Sequence, residues 1–208
     1  MTRRFRIILI VVSIVLVSVM ATAIGLTAAI WDSASGGSNE YGPVVDTVDW
    51  NSWTKYFSYQ AVMDGSTVSY YVVVGYEGTN LGDVVFPTQN NSITVTKISN
   101  SVFASTTKKE LPVTIYISGT ISTIEATAFA NLPNLEKVVF AVSKVNGDTV
   151  QSAVTVGDYA FAGCSNLKSI VIEGSRSVSF ATTAFVGCHN LTSITKNGVE
   201  QGTSGYTI

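Results

Sequence analysis

The sequence predicts an α/β solenoid of about four short repeats with a parallel β-sheet, preceded by a single transmembrane helix. One motif recurs three times without gaps between residues 123 and 196. An uncharged hydrophobic stretch, residues 7–31, follows three arginines near the start of the chain. Hydrophobic residues make up 46% of the chain and charged residues only 12%. This composition is ample for a core and typical of strand-rich exported proteins.

The hydrophobic stretch is long enough to cross a membrane. As a helix rising about 1.5 Å per residue, it exceeds the roughly 30 Å of hydrocarbon in a bilayer. The arginines before it keep the N-terminus in the cytoplasm, so the rest of the chain is exported. Residues 1–31 are therefore either a membrane anchor or a signal peptide cleaved near Ala21–Ala23. The protein is single-pass with an extracellular C-terminal domain in the first case and secreted in the second.

Two segments separate this stretch from the repeats. Residues 32–57 begin with small polar residues and glycine, which predicts a flexible linker. Residues 58–94 alternate around Asp64-Gly65, as in a β-hairpin, and Asp83–Phe86 has the pattern of a further strand. We expect residues 58–94 to form a β-rich cap over the first edge of the solenoid, and residues 95–208 to form the repeats.

Each repeat contains a phenylalanine, and the last three also have a leucine six residues later. The leucine begins a Leu-x-x-Ile-x-Ile pattern whose alternation predicts a strand, and the Ala-Phe-x-Gly-Cys part suits one short helical turn. One coil cannot bury these side chains alone, so the coils must stack and their strands must form a parallel sheet. The predicted core residues of the repeats are Phe103, Phe129, Phe161, Phe185, Leu135, Leu167 and Leu191.

The repeat unit GDYAFAGCSNLKSI, from Gly157 to Ile170, resembles the BspA-type leucine-rich repeat. The similarity continues around Phe129 and Phe185 and is weaker around Phe103. The resemblance implies a curved solenoid in a cell-surface protein, often an adhesin, and it implies no particular ligand. Lys196 replaces an apolar residue in the last repeat, which fits the polar end of a stack.

The residues that most often carry chemistry favour structural roles in this sequence. Cys164 and Cys188 occupy the same repeat position, where stacking separates the Cβ atoms by more than the roughly 3.8 Å that a disulfide prefers. We therefore predict buried free thiols. His189 is the only histidine, and no other ligands are spaced to complete a metal site with it. Because nucleophile and phosphate-binding motifs are also lacking, we expect no catalytic residue, metal or cofactor.

The outward face of the predicted strands is the candidate binding face. Alternation along each strand turns one set of side chains to the core and the other to solvent. The solvent-facing set mixes aromatic, aliphatic and hydroxyl side chains, which suits contact with a protein or a glycan, although β-propensity alone also explains it. The candidate contact residues are Tyr116, Val139, Val171, Thr195, Lys137 and Ser169.

An insertion distinguishes one repeat from its neighbours. The interval from Phe129 to Phe161 is 32 residues, whereas the intervals on either side are 26 and 24. The extra residues lie within 141–153, and Asn146-Gly147 predicts a projecting hairpin there. The hairpin is either a second contact surface or a neutral variation in length.

The charge of the exported part narrows the choice of partners. The formal net charge is −2, and without Arg3, Arg4 and Arg6 the chain keeps 9 basic and 14 acidic residues. This balance disfavours nucleic acid as a ligand. The sequence therefore predicts a membrane-tethered, non-enzymatic binding or adhesion module for extracellular proteins or glycans. The alternative is a structural envelope protein or self-associating scaffold.

Overall fold

The computed structural model describes residues 49–79, 82–100, 102–103, 109 and 112–208. The chain divides into two compact units, residues 1–44 and 45–208, and every described residue belongs to the second. The predicted membrane segment and most of the predicted linker lie outside the described residues. Within the described part of the chain, no helix is long and apolar enough to cross a membrane.

The described residues form one 3-10 helix, Trp50–Tyr56, and fifteen short strands. The helix occupies the end of the segment that was expected to be a linker. The strands are β1 Phe57–Asp64, β2 Thr67–Tyr76, β3 Gly82–Phe86, β4 Gln89–Asn90, β5 Ile93–Ile98, β6 Pro112–Ile117, β7 Thr123–Ile124, β8 Lys137–Phe140, β9 Ser143–Val145, β10 Asp148–Val150, β11 Val154–Val156, β12 Ser169–Ile172, β13 Val178–Phe180, β14 Ser193–Lys196 and β15 Val199–Glu200.

Most strands belong to two sheets that run along the solenoid. Sheet 1 has the order β1-β2-β5-β7-β11-β13, and sheet 2 has the order β15-β14-β12-β8-β6-β3. From one coil to the next the pairing is parallel in both sheets, which confirms the predicted parallel arrangement. The five coils are β2 with β3, β5 with β6, β7 with β8, β11 with β12, and β13 with β14.

The Leu-x-x-Ile-x-Ile strands predicted from the sequence lie in sheet 2, and sheet 1 beyond the predicted hairpin is an addition. Its strands are only two or three residues long in the later coils, too short for alternation to stand out. In each coil the strand of sheet 1 comes before the strand of sheet 2 in the chain. The inward residues Ile98, Ile124 and Val156 of sheet 1 are almost completely buried. Each coil therefore closes its core between two sheets, where the sequence indicated only one.

The predicted helical turn is wrong at Phe129 and Phe161, where the chain forms turns instead, and the described residues of the last three coils are strands and turns. Thr127 and Tyr159 have φ angles of 59° and 56°, which a right-handed helix excludes. Alternate backbone N–H groups instead bond to the next coil, as Phe129 N does to Ala160 O at 2.8 Å. An α-helix would need the same N–H group for a bond within its own turn.

The rings of the phenylalanines stack on one another along the solenoid axis. Phe129 and Phe161 lie 5.2 Å apart with an interplanar angle of 21°, and Phe161 and Phe185 lie 5.7 Å apart at 15°. Phe103 precedes them at 6.2 Å from Phe129. Leu135, Leu167 and Leu191 line the same core and are 0%, 0% and 5% exposed.

Tyr76 takes the phenylalanine position in a coil that the sequence analysis assigned to the cap. Its ring lies 5.1 Å from that of Phe103, and its N–H donates to Val102 O at 3.0 Å, the same bond that links the later turns. Strands β2 and β3 join the two sheets in parallel on either side of it. The four predicted coils are therefore present, and Tyr76 marks a fifth at the N-terminal end.

Segments that do not repeat cover part of each end of the stack. At the N-terminal end, the predicted hairpin is confirmed, and β1 pairs antiparallel with β2 on the outside of sheet 1. At the C-terminal end, β15 pairs antiparallel with β14, and the Tyr206 ring packs on Phe185 at 5.3 Å. Lys196 lies where this terminal hairpin begins, consistent with its predicted place at the end of the array.

The stack should not tolerate the loss of a central ring. Phe161→Ala removes a completely buried side chain that contacts rings on both sides, and we expect it to lower the free energy of unfolding by about 3–5 kcal/mol. Tyr159→Ala is the control, because that side chain is 46% exposed, and we expect a change of no more than about 0.5 kcal/mol. Urea denaturation measures both. Equal stabilities of the two variants would contradict the claim that the stacked phenylalanine rings stabilise the solenoid.

Candidate functional site

The six predicted contact residues share the outer face of sheet 2, where strand register places them in two adjacent rows. One row, called the outer row below, crosses five strands, and the other, called the polar row, lies two residues earlier on the same strands. The outer row is Val85, Tyr116, Val139, Val171 and Thr195, and the polar row is Asp83, Thr114, Lys137, Ser169 and Ser193.

The N-terminal 3-10 helix covers part of the outer row. Trp50 packs with Val85 and Val139, leaving Val139 only 3% exposed, so the prediction that Val139 is open to a ligand is wrong. Asn51 fixes the helix in this position, because its Oδ1 accepts a hydrogen bond from Thr88 Oγ1 at 3.1 Å. The row that remains accessible consists of half-buried Tyr116, Val171 and Thr195.

Charged side chains surround Tyr116 on this face. Burial raises the pKa of Tyr116 to about 12, and the nearby carboxylates of Asp83 and Glu173 act in the same direction. Burial also raises the pKa of Asp83, against the opposing effects of a hydrogen bond from Thr114 and the charge of Lys137. The Tyr116 hydroxyl is therefore neutral at physiological pH and can both donate and accept hydrogen bonds.

The insertion at residues 141–153 forms the predicted hairpin, with β9 paired antiparallel to β10. Asn146 and Gly147 have φ angles of 53° and 91°, as the turn between such strands requires. Its base is tied to the solenoid, since Gly119 N donates to Ser143 Oγ at 2.7 Å and Val142 N donates to Glu173 Oε2 at 3.1 Å. The hairpin tip is exposed and its base is held in place.

A buried arginine that the sequence analysis did not identify holds the base of this hairpin. Arg176 is 1% exposed, and its guanidinium donates to carbonyl oxygens on three coils. Burial lowers the pKa of Arg176 to about 10, so it remains a cation at neutral pH. No sequence motif marks such a residue. The four carbonyl acceptors are Ile117 O at 3.0 Å, Ala141 O at 2.9 Å, Ile121 O at 2.6 Å and Ser152 O at 3.0 Å.

Cys164 and Cys188 are buried free thiols, as predicted. Each thiol donates to the carbonyl of the phenylalanine one coil earlier, Cys164 to Phe129 O at 3.1 Å and Cys188 to Phe161 O at 3.0 Å. Burial raises the pKa of Cys164 to about 12 and that of Cys188 to about 11. These thiols therefore contribute to the stacking of the turns and are poor nucleophiles.

The asparagines before Leu167 and Leu191 also link the coils. Asn166 Nδ2 donates to Pro133 O, and Asn190 Nδ2 donates to Ser165 O, both at 2.7 Å. His189 next to them is exposed. Among the described residues, no three His, Cys, Asp or Glu side chains are grouped as a metal site would require.

Comparison with protein-family models matches residues 147–201 to the BspA type Leucine rich repeat region (6 copies). The resemblance inferred from the Gly157–Ile170 unit is thereby confirmed. The BspA-type region includes the last two coils, built on β11 to β14, and ends just after β15.

Two solved structures are similar to the chain. A leucine rich repeat protein of T. pallidum is 18% identical, with 68% of this chain and 69% of that chain covered and a TM-score of 0.45. A leucine rich cell surface protein from Faecalibacterium prausnitzii A2-165 is 17% identical, with 67% of this chain and 53% of that chain covered and a TM-score of 0.40. The match therefore spans about half of the second protein. No curated protein matches the chain.

Removal of the buried guanidinium should destabilise the solenoid strongly. Arg176→Met leaves four carbonyl oxygens without their donor, and we expect a loss of at least about 3 kcal/mol in the free energy of unfolding. Lys97→Met is the control, because it removes a surface ion pair with Glu125 worth at most about 1 kcal/mol. If urea denaturation gave the same stability for both variants, the role assigned to Arg176 would be wrong.

The two thiols should resist alkylation while the chain is folded. Because burial raises both pKa values, we expect iodoacetamide to label native Cys164 and Cys188 at least about 100-fold more slowly than the same chain in concentrated guanidinium chloride. Mass spectrometry of the labelled chain measures both rates. Equal rates, or a disulfide between the two residues, would contradict the assignment.

Proposed function

We propose that the chain is a non-enzymatic binding module of the cell surface that contacts an extracellular protein or glycan. The outer face of sheet 2 is the proposed contact surface. The observation that carries the proposal is the register of the strands, which aligns Tyr116, Val171 and Thr195 in one row beside Lys137 and Ser169 in the other. The BspA-type region supports a binding role, since repeat arrays of this kind expose extended surfaces.

The chemistry of the accessible residues suits a polar ligand. Tyr116 offers an aromatic ring and a neutral hydroxyl, and Val171 offers an apolar surface beside it. Lys137 and Ser169 add a cation and a hydroxyl in the neighbouring row. An aromatic ring with a polar tip beside hydroxyl groups fits a sugar or a polar protein surface.

The hairpin at residues 141–153 is a second element that can contact the same ligand. It follows β8, which carries Lys137 and Val139, and its base is fixed by Glu173 and Arg176. Glu173 is also one of the carboxylates near Tyr116. A ligand seated over Tyr116 would therefore lie close to the base of the hairpin.

Export places this surface outside the cell. The hydrophobic segment at residues 7–31, preceded by Arg3, Arg4 and Arg6, supports a membrane-tethered protein, or a secreted one if the segment is cleaved. A self-associating scaffold is the alternative function. The partial coverage of the solenoid ends by β1, β15 and Tyr206 favours the binding module over end-to-end stacking of whole solenoids.

The test is ligand capture by a variant of the accessible row. The full chain is applied to a glycan array and to a panel of purified extracellular proteins, and Tyr116→Ala combined with Val171→Glu should reduce capture at least about tenfold. Thr155→Glu is the matched control, because Thr155 is exposed on sheet 1. Equal capture by the double variant and the control would refute the assignment of the face. Absence of capture on both panels would refute the proposed binding role.

A further inference from the structure

Sheet 1 ends at β13, and among the described residues no strand pairs with the outer side of β13. The corresponding end of sheet 2 is different, because β15 covers the outer side of β14 there. An uncovered edge presents backbone N–H and C=O groups to which an extended segment can bond. The C-terminal end of the solenoid therefore has one covered and one open strand edge.

The hydrogen bonds on either side of β13 show which peptide groups are available. Ser177 O accepts from Val154 N, and Ala181 N donates to Val156 O, so residues 177, 179 and 181 face β11. Alternation in a parallel ladder turns the peptide groups of Val178 and Phe180 to the opposite side. Thr182 is the next residue on that side, and its carbonyl accepts a hydrogen bond from Thr207 N at 2.9 Å. The open edge thus already receives one backbone hydrogen bond.

A cavity of about 180 Å³ opens beside this edge. It is smaller than the roughly 300–1,000 Å³ of small-molecule sites, and so it suits one or two side chains of a longer ligand. Val178 and Phe180 belong both to the open strand and to the wall of the cavity. Ile172 and Ile194 from sheet 2 and Tyr206 from the C-terminal tail complete its apolar lining.

The charged residues of the cavity are both cations. Lys196 and Arg176 line it, and no carboxylate does. Lys196 occupies the inward repeat position that Phe140 and Ile172 hold in earlier coils, and within the described part of the chain it takes part in no ion pair. The guanidinium of Arg176 is buried, donates to carbonyl oxygens and lies near the carboxylate of Glu173, so Lys196 is the cation that a ligand can reach. An anionic group near Lys196 would match this charge.

We propose that the β13 edge binds an extended acidic peptide, which adds to sheet 1 as a further parallel strand. Its backbone would bond to the outward peptide groups of Val178 and Phe180. One apolar side chain would enter the cavity, and a carboxylate of the peptide would pair with Lys196. The site is distinct from the outer face of sheet 2, and the proposal does not depend on binding there.

A peptide fits this edge better than a second solenoid does. Sheet 2 is closed at this end by β15, and the tail residues Tyr206 and Thr207 cover the last turn. A whole further coil would need both sheets to continue, whereas among the described residues only sheet 1 leaves the edge of its last coil strand open at this end. Every strand of sheet 1 from β5 to β13 runs parallel to its neighbour, so the position left open is that of the next parallel strand.

Fluorescence anisotropy with the full chain tests the proposal. The probes are two fluorescein-labelled peptides, one alternating valine with glutamate and the other alternating valine with lysine. We expect the glutamate peptide to bind at least about tenfold more tightly, and we expect Lys196→Glu to reverse this preference. Lys55→Glu, an exposed change on the N-terminal 3-10 helix, is the matched control and should leave both affinities unchanged.

A second variant tests the backbone contact. Val178→Pro removes an N–H group that faces the open edge and leaves in place the N–H groups that bond to β11. It should therefore lower the affinity for the glutamate peptide at least about tenfold. Circular dichroism establishes whether this variant is folded, and if it is not, the charge reversal at Lys196 decides the question. Three results would overturn the proposal. The first is that neither peptide binds saturably, and the second is that Lys196→Glu leaves both affinities unchanged. The third is that the chain forms concentration-dependent oligomers that Val178→Pro dissociates, because this result would assign the edge to a second copy of the chain.

Discussion

The backbone hydrogen bonds between successive turns are the constraint on which the rest of the solenoid depends. The bonds from Phe129 N to Ala160 O and from Phe161 N to Ala184 O hold neighbouring turns in register. That register places each phenylalanine ring on the next and brings the thiols of Cys164 and Cys188 to the carbonyl groups one coil earlier. It also excludes a helix, because the same backbone groups cannot bond within a helical turn. A single coil has no partner for these groups, so the coils fold only as a stack.

Much of this arrangement could be predicted because it is repeated. Four phenylalanines at similar intervals define the ring stack, Cys164 and Cys188 recur at one position, and Asn146-Gly147 marks the inserted hairpin. The coil of Tyr76 was not recognised as a repeat, because tyrosine replaces the phenylalanine and the surrounding residues differ from the motif. The later strands of sheet 1, β7, β11 and β13, were missed for another reason. Strands of two or three residues show too little alternation to be distinguished from the turns beside them.

The contacts that define the candidate surfaces depend on residues far apart in sequence, and local patterns do not reveal them. Arg176 donates to Ile117 O across 59 residues, and no repeat motif marks it in the sequence. Trp50 lies in a segment whose composition indicated a linker, yet it buries Val139. The predicted binding row was therefore correctly aligned by repeat register but is partly occupied by the chain's own N-terminal helix. The β13 edge likewise depends on pairing between distant strands, since among the described residues only β11 pairs with β13.

Native-state hydrogen exchange of three amides tests the central claim most directly. The N–H groups of Tyr76, Phe129 and Phe161 make the same kind of bond to the next turn, although they lie in different coils. If the five coils form one stack from Tyr76 onward, all three amides exchange only through global unfolding and report the same free energy of opening. A Tyr76 amide that exchanged through a local opening of much lower free energy than that of Phe161 would contradict this account. The first coil would then be a separate cap.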